Sequence, residues 1–233
     1  MLVYGKNVAI EFLKKPGDVK KIYLQDSFND KKINSLIQKI NIQVKYLSKN
    51  ELDRLAKGNH QGIILDVNDF VYSNIEDFIN NDDAFVVILD HIEDPHNMGA
   101  IIRTSEAAGV DGVIIPKNRS VEVNATVMKT SAGAIENIKV ASVTNLKSTI
   151  ERLKKKGFWI VGTDMINSVD YKDIDYSGKI ALVIGSEGFG MSKIVRDSCD
   201  FVARIPMYGK VNSLNASVAA GIMIYEVIRN RGK

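Results

Sequence analysis

The sequence of 233 residues has one cysteine, four prolines and no long hydrophobic run. A lone Cys199 cannot form an intramolecular disulfide, which favours a reducing compartment such as the cytoplasm. Even the apolar run Ala84–Leu89 ends at Asp90, far short of the roughly 18 residues that a membrane span needs. One cysteine and three histidines give no zinc-finger spacing. We therefore expect a cytoplasmic protein without a membrane partner or a structural metal.

The composition is that of an ordinary globular protein, with 45% hydrophobic and 25% charged residues, and this excludes a disordered or collagen-like chain. The net charge is +3, but it is unevenly distributed. Residues 1–68 contain 12 Lys and Arg against 7 Asp and Glu, a surplus of +5, which leaves −2 for residues 69–233. Such a surplus fits either solvated helix faces or a unit that contacts a polyanion.

Residues 1–68 are predicted to form a small α/β unit. Residues 19–24 and 61–67 have the apolar, β-branched character of short strands, and residues 31–40 have helical spacing. Ser48, followed by Glu51 three residues later, predicts a capping box that opens another helix. Residues 69–83 are polar, so we expect them to be a linker to a second domain at residues 84–233.

The second domain is predicted to contain a mostly parallel sheet. Short apolar runs alternate with helical segments at 97–108 and 145–156, and a last helix is expected at 213–230. Continuous apolar strands separated by helices are typical of a sheet that is covered on both faces. The predicted strands are 84–89, 112–115, 158–162, 180–184 and 201–205.

Three polar segments follow predicted buried strands, at residues 90–99, 185–190 and 205–217. Open α/β sheets bind their ligands at the carboxyl ends of strands. Each segment alone also fits ordinary turn and capping chemistry, but together they suggest a site for a small ligand and a polar substrate. No Gly-Lys pair has the Ser or Thr of a P-loop, and residues 185–190 lack the dinucleotide-binding glycine order. His91 and His96 lack the spacing of a helical metal site.

The same segments closely resemble the three motifs of the SpoU/TrmH class of SPOUT RNA 2′-O-ribose methyltransferases. The matching stretches are residues 94–109, residues 183–191, and residues 205–207 with 212–221. Residues 3–7 and 59–63 are similar to landmarks of the ribosomal-protein-like substrate-binding domain in the RlmB-type branch, which modifies a guanosine of 23S rRNA. Ala216 replaces the valine common in the third motif, a small apolar exchange.

The resemblance implies a homodimer with a trefoil knot in the second domain, and it implies S-adenosylmethionine as the cofactor and RNA as the partner. It implies cofactor contacts, mostly through backbone groups, at Thr163, Gly185, Ile205 and Leu214. It implies Arg103 as the central catalytic residue, assisted by Asn97, Glu187, Ser213 and Asn215.

The role of Arg103 and the RNA target stay open at this point. A guanidinium group stays protonated under ordinary conditions, so stabilising an alkoxide or clamping a phosphate competes with the role of general base. An ion pair with Glu106, three residues along the helix, is the structural alternative for Arg103. The target is rRNA or tRNA. The competing functions are a non-catalytic RNA-binding protein and, less consistent with the sequence, a nucleotide-dependent dehydrogenase.

Overall fold

The N-terminal part of the chain folds around a four-stranded sheet. The structure is a computed structural model that describes residues 1–56 and 58–232. The strand order is β1-β4-β2-β3, in which β4 pairs antiparallel with β1 and β2, and β2 pairs parallel with β3. The elements are β1 (Leu2–Tyr4), α1 (Lys6–Lys14), β2 (Val19–Gln25), α2 (Lys31–Ile37), β3 (Val44–Leu47), α3 (Lys49–Leu55) and β4 (Ile63–Val67).

The capping box predicted at Ser48 is confirmed. The Glu51 backbone amide donates to Ser48 Oγ, and the Ser48 amide donates to the Glu51 carboxylate over 2.8 Å. The Ser48 hydroxyl also donates to the Glu51 carboxylate over 2.7 Å. The two hydrogen bonds that the carboxylate accepts from Ser48 lower the pKa of Glu51, since they favour its ionised form. Helix α3 therefore begins where the sequence predicts.

The C-terminal part contains seven strands, which pair in parallel throughout in the order β7-β6-β5-β10-β8-β11-β9. The predicted fold class, a small α/β unit followed by an α/β domain with a parallel sheet, is confirmed. The elements are β5 (Phe85–Asp90), α4 (Pro95–Ala107), β6 (Gly112–Pro116), α5 (Ala125–Thr130), β7 (Lys139–Val143), α6 (Leu146–Lys155), β8 (Phe158–Thr163), β9 (Val169–Asp170), β10 (Lys179–Gly185), α7 (Lys193–Arg196), β11 (Phe201–Arg204) and α8 (Ala216–Asn230).

Strand β10 lies at the centre of this sheet, between β5, which is far from it in sequence, and β8, which is separated from it by the short strand β9. Ile184 pairs with Leu89 of β5, and Val183 pairs with Gly162 of β8. The chain therefore completes β5 to β8 before the strand between them is added. The trefoil knot itself stays a prediction.

The parallel sheet is covered on both faces. One face packs against α4 and α8, and the other packs against α6 and α7. Residues 69–83, predicted as a linker, lie against the second face through the buried side chains of Ile75, Phe78 and Ile79. No helix in the described part of the chain is both long and apolar enough to cross a bilayer.

The two sheets share one hydrophobic core. Phe12 of α1 belongs to the same buried cluster as Met128 and Ile135. Lys129 Nζ donates to the Asn59 carbonyl oxygen over 3.1 Å, so α5 also contacts the loop before β4. A β-carbon at Gly133 would lie 2.7 Å from Glu11 Cγ, so the glycine allows this close approach. The N-terminal unit is thus held directly on the second domain.

Candidate functional site

The three polar segments meet at one edge of the parallel sheet. Gly185 at the end of β10 is in register with Asp90 at the end of β5. On the other side of β10, Thr163 of β8 is in register with Ala203 of β11. Parallel pairing therefore places all four strand ends, and the loops that follow them, on the same side.

Asn97, Glu187 and Asn215 form a hydrogen-bonded cluster that takes one residue from each segment. Asn97 Nδ2 donates to Glu187 Oε2 over 3.2 Å, and Asn215 Nδ2 donates to the same oxygen over 3.0 Å. Asn215 Nδ2 also lies 2.9 Å from Asn97 Oδ1. Asn97 is buried, whereas Glu187 and Asn215 are exposed, so the carboxylate is held from the protein side and open towards solvent.

Asn215 also begins helix α8. Its Oδ1 atom accepts hydrogen bonds from the Ser217 and Val218 amides over 2.9 Å and 3.4 Å. The prediction that this helix begins at Ser213 is therefore wrong. The side chain of Asn215 accepts from the first free amides of the helix, and its own backbone is non-helical, with φ −56° and ψ 141°. Ser213 and Leu214 consequently lie in the loop.

The loop from Ser186 to Gly190 is tight and fixed at both ends. The Ser186 and Gly190 backbones exchange two hydrogen bonds of 3.0 Å. A β-carbon at Gly185 would lie 2.3 Å from the carbonyl carbon of Gly190, so only glycine fits there. Fully buried Asp90 accepts a 2.7 Å hydrogen bond from the Ser192 amide. Glu187 thus stands on a rigid turn.

A first cleft of about 490 Å³ lies on one side of this loop. All four predicted cofactor residues line it, and so do Glu187 and Ser213. Thr163 Oγ1 donates to the Val183 carbonyl oxygen over 3.0 Å, which fixes the side chain across two strand ends. Apolar side chains form much of the wall. The residues that line the cleft include Thr163, Ile184, Gly185, Glu187, Ala203, Ile205, Met207, Ser213 and Leu214.

The loop that closes the first cleft offers backbone groups to a ligand. Residues 207–214 make no backbone hydrogen bond with other residues that the structure describes. Met207, Asn212, Ser213 and Leu214 line the cleft, so their free backbone groups lie beside its apolar wall. Such an arrangement suits a planar ring whose faces contact apolar side chains and whose edge forms hydrogen bonds with the main chain.

A second cleft of about 530 Å³ lies on the other side of the same loop. Ser186, Glu187, Phe189 and Gly190 line both clefts. The Asn97–Glu187–Asn215 cluster therefore stands at the junction of two cavities. The other lining residues include His91, Ile92, Glu93, Asp94, Asn97 and Arg119.

Arg103 does not join this cluster within its own chain. It is exposed on α4, whereas its neighbours Ile101 and Ile102 are buried. It lines neither cleft. Among the described residues it has no hydrogen bond or ion pair, and the alternative ion pair with Glu106 is absent. The other predicted residues line the clefts or belong to the cluster.

The two histidines near Asp90 each contact a neighbouring carboxylate, His91 that of Asp90 and His96 that of Asp94. His91 Nδ1 contacts the buried Asp90 carboxylate. The Asp94 carboxylate accepts a 3.0 Å hydrogen bond from the His96 amide, and this lowers the pKa of Asp94. Across residues 1–56 and 58–232, no three His, Cys, Asp or Glu side chains are grouped so that they could hold a metal ion.

The sequence alone assigned no role in the site to two residues, Asp90, which begins the first polar segment, and Arg119. Asp90 fixes the Glu187 loop, and its signal was a carboxylate at the end of a fully apolar run. Arg119 lines the second cleft from the loop after β6, where the sequence carries no motif. Only the folded structure places that loop beside residues 91–94.

Two family models match the chain. One, described as the SpoU rRNA Methylase family, matches residues 84–225. The other, described as RNA 2′-O ribose methyltransferase substrate binding, matches residues 2–73. The chain belongs to the SpoU rRNA methylase family.

Similar proteins cover almost the whole chain. YacO of Bacillus subtilis, provisionally named a TrmH family tRNA/rRNA methyltransferase, is 44% identical over 98% of this chain and 95% of its own length. A Staphylococcus saprophyticus protein with the same provisional family name is 45% identical over 99% of this chain and 96% of its own.

Solved structures share the fold. The AdoMet-bound rRNA methyltransferase of Sinorhizobium meliloti has a TM-score of 0.83 and 26% identity, covering 98% of this chain and 86% of its own. The SpoU methyltransferase AviRb of Streptomyces viridochromogenes, solved with AdoMet, has a TM-score of 0.85 and 24% identity, covering 99% and 90%.

Proposed function

We propose that this SpoU-family protein transfers a methyl group from S-adenosylmethionine to a ribose 2′-hydroxyl of structured RNA, at a guanosine of 23S rRNA. The observation that carries the proposal is the cluster of Asn97, Glu187 and Asn215 at the junction of two clefts. Because the loop that carries Glu187 lines both clefts, two molecules bound in them would lie next to each other, as a transfer reaction requires.

The first cleft fits S-adenosylmethionine in size and chemistry. Its volume of about 490 Å³ lies within the range of small-molecule sites. Apolar walls and free backbone groups suit an adenosine, and Thr163, Gly185, Ile205 and Leu214 would hold it. When bound, the cofactor supplies an electrophilic methyl group on its sulfonium. The AdoMet-bound relative from Sinorhizobium meliloti supports this assignment.

Glu187 is proposed to orient the ribose. Both amides of the cluster donate to its Oε2 atom, and Oε1 has no hydrogen bond within the described residues. Oε1 can therefore accept a hydrogen bond from a ribose hydroxyl. Ser213, which lines the first cleft, can contact the same sugar or its phosphate. Asn97 and Asn215 keep the carboxylate in place.

We infer a homodimer in which Arg103 of the partner subunit completes the site. Arg103 is exposed and lines neither cleft of its own chain. Helix α4 packs against α8, and α8 leaves Val218 and Tyr225 half exposed, apolar side chains that a second copy would cover. A guanidinium supplied from a partner would stabilise the developing alkoxide or clamp the adjacent phosphate.

A complementation experiment tests this site. Arg103→Ala and Glu187→Gln chains are purified, mixed, unfolded and refolded together, and methyl transfer to RNA is measured. If each site uses Arg103 from one chain and Glu187 from the other, random pairing restores about one quarter of the wild-type rate. Activity no higher than that of either variant alone would show that both residues act within one chain.

The RNA target is proposed from the N-terminal unit. Residues 2–73 match the substrate-binding model, and residues 1–68 carry the +5 charge surplus that favours contact with RNA. Mapping 2′-O-methyl groups in total RNA from cells with and without the protein identifies the target. A mark lost from tRNA would make the protein a tRNA enzyme. An unchanged map would favour the non-catalytic RNA-binding alternative.

A further inference from the structure

The second cleft holds two charged side chains of opposite sign that lack partners. Glu93 and Arg119 both line it, and neither has a hydrogen bond or ion pair with any other residue the structure describes. Of the other two carboxylates of the cleft, Asp94 caps helix α4, and Glu187 accepts from two amides at Oε2 while its Oε1 atom is assigned to the ribose. Glu93 and Arg119 therefore remain available to a bound molecule.

The backbone next to Arg119 is held in place by two hydrogen bonds. The Ser120 Oγ atom and the Val121 amide both donate to the Ile92 carbonyl oxygen, over 3.1 Å and 2.9 Å. The Arg119 backbone is left-handed, with a φ of 54°. Non-glycine residues adopt this conformation rarely, and it is found often at ligand sites. The loop of Arg119 is thus fastened to the loop of Glu93.

The charge of the second cleft favours a nucleobase inside it over a phosphodiester. Three carboxylates, from Glu93, Asp94 and Glu187, line it, and Arg119 is the one Lys or Arg among its described lining residues. Phosphate oxygens inside the cleft would be repelled by the carboxylates. A neutral base with N–H donors would be attracted, and the exposed side chain of Arg119 offers a positive charge to the phosphate of the same nucleotide.

Guanine is the standard base that matches a free carboxylate. Its Watson–Crick edge places two donors, N1–H and N2–H, side by side, and a carboxylate accepts two parallel hydrogen bonds. Adenine and cytosine place a donor beside an acceptor, and uracil flanks one donor with two acceptors. We propose that the second cleft receives the base of the methylated nucleotide, that Glu93 selects guanine, and that Arg119 binds its phosphate. This inference rests on the proposed function.

The first experiment uses full-length protein and a transcript spanning the mapped methylation site, either with guanosine or with inosine at that position. Inosine lacks the N2 amino group, so the wild type should methylate it about 10-fold more slowly than guanosine. Glu93→Gln should lower kcat/KM on guanosine by about 10-fold to 100-fold. For this variant, replacing guanosine by inosine should lower kcat/KM little further. Glu122→Gln, on the Arg119 loop but outside both clefts, should behave as wild type.

Equal wild-type rates on both transcripts, or an unchanged Glu93→Gln rate, would overturn the role of Glu93.

A second experiment tests Arg119. Arg119→Ala should raise the KM for RNA about tenfold with little change in kcat. Lys117→Ala, which also removes an exposed positive charge, is the control. An unchanged KM would overturn the role of Arg119. Calorimetric binding of S-adenosylmethionine and thermal unfolding verify that each variant is folded. Failure of the wild type to methylate any RNA would instead refute the proposed function.

Discussion

Asn215 Nδ2 lies 3.0 Å from Glu187 Oε2, although 28 residues separate the two along the chain. The two ends of the Asn215 amide have different roles. Its nitrogen contacts Glu187 and Asn97, and its oxygen caps helix α8. A substitution can therefore separate the contribution to the site from the contribution to the fold.

Asn215→Asp is expected to keep the N-terminal cap of helix α8 but to lower the rate of methyl transfer. Aspartate still offers an oxygen to the Ser217 and Val218 amides, so the melting temperature should stay close to that of the wild type. A second carboxylate beside Glu187 disturbs the cluster, so methyl transfer should fall by about 10²-fold. Asn215→Ala should lose the reaction and also about 1 kcal/mol of stability. Wild-type turnover by Asn215→Asp would contradict a role for this contact.

Arg103→Ala is expected to leave stability unchanged, because Arg103 is exposed and makes no hydrogen bond or ion pair with the residues described. Loss of an alkoxide-stabilising contact should lower the single-turnover rate by about 10² to 10³. Arg103→Lys should restore little, since an ammonium lacks the planar forked donors. The proposed role fails if folded Arg103→Ala methylates RNA at nearly the wild-type rate with saturating cofactor.

Gly185→Ala is expected to displace the Glu187 loop, because the new methyl group would lie 2.3 Å from the Gly190 backbone. Overpacking of this kind costs about 1–3 kcal/mol in unfolding free energy. Cofactor binding, measured by calorimetry, should weaken as the wall of the first cleft moves. Gly17→Ala is a matched control, since its methyl group would meet no atom within 4 Å. Equal cofactor affinity in Gly185→Ala and the control would speak against this geometry.

Glu136→Gln is expected to stabilise the protein at neutral pH. Burial, followed by the nearby Asp18 carboxylate, raises the pKa of Glu136 in the folded state. A raised folded pKa means that the native state binds the proton more tightly, so stability falls as pH rises from the ordinary glutamate pKa through the folded value. Urea unfolding should show a gain for Glu136→Gln near pH 7 that disappears below about pH 4. The same gain at both pH values would contradict this.

Cys199 is expected to be unreactive in the folded protein. Burial raises the pKa of its thiol to about 12, an effect larger than the opposing effect of Lys154. At pH 8 a thiol of that pKa is ionised in about one molecule in 10⁴, and the thiolate is the nucleophile. A chromogenic disulfide reagent should label Cys199 slowly in buffer and rapidly in denaturant. Rapid labelling in buffer would show that the thiol is accessible.

Local patterns predict most of the sheet but not its order. The apolar runs mark β5, β6, β8, β10 and β11. Strands β5, β6 and β10 are buried on both faces, whereas β8 and β11 expose Trp159 and Phe201. No local pattern shows that β10 lies between β5 and β8, since that order depends on contacts across about 90 residues of chain. The three-residue strand β1 and two-residue strand β9 are too short for any periodicity.

The site was predictable where motifs carry it. Asn97, Glu187 and Asn215 come together because parallel strands end at one edge, and this follows from the sequence pattern. The position of Arg103 outside the clefts depends on how α4 is rotated against its neighbours. Arg119 joins the site through hydrogen bonds to the Ile92 carbonyl, a contact between two irregular loops that no sequence rule describes.

The core shared by Phe12, Met128 and Ile135 fixes the position of the N-terminal unit. A substrate-binding unit on a flexible tether could deliver many different nucleotides to the same reactive centre. Here side-chain packing sets the separation between the two units. If the N-terminal unit binds the RNA as proposed, the methylated ribose would lie at a fixed distance from the RNA segment that this unit contacts.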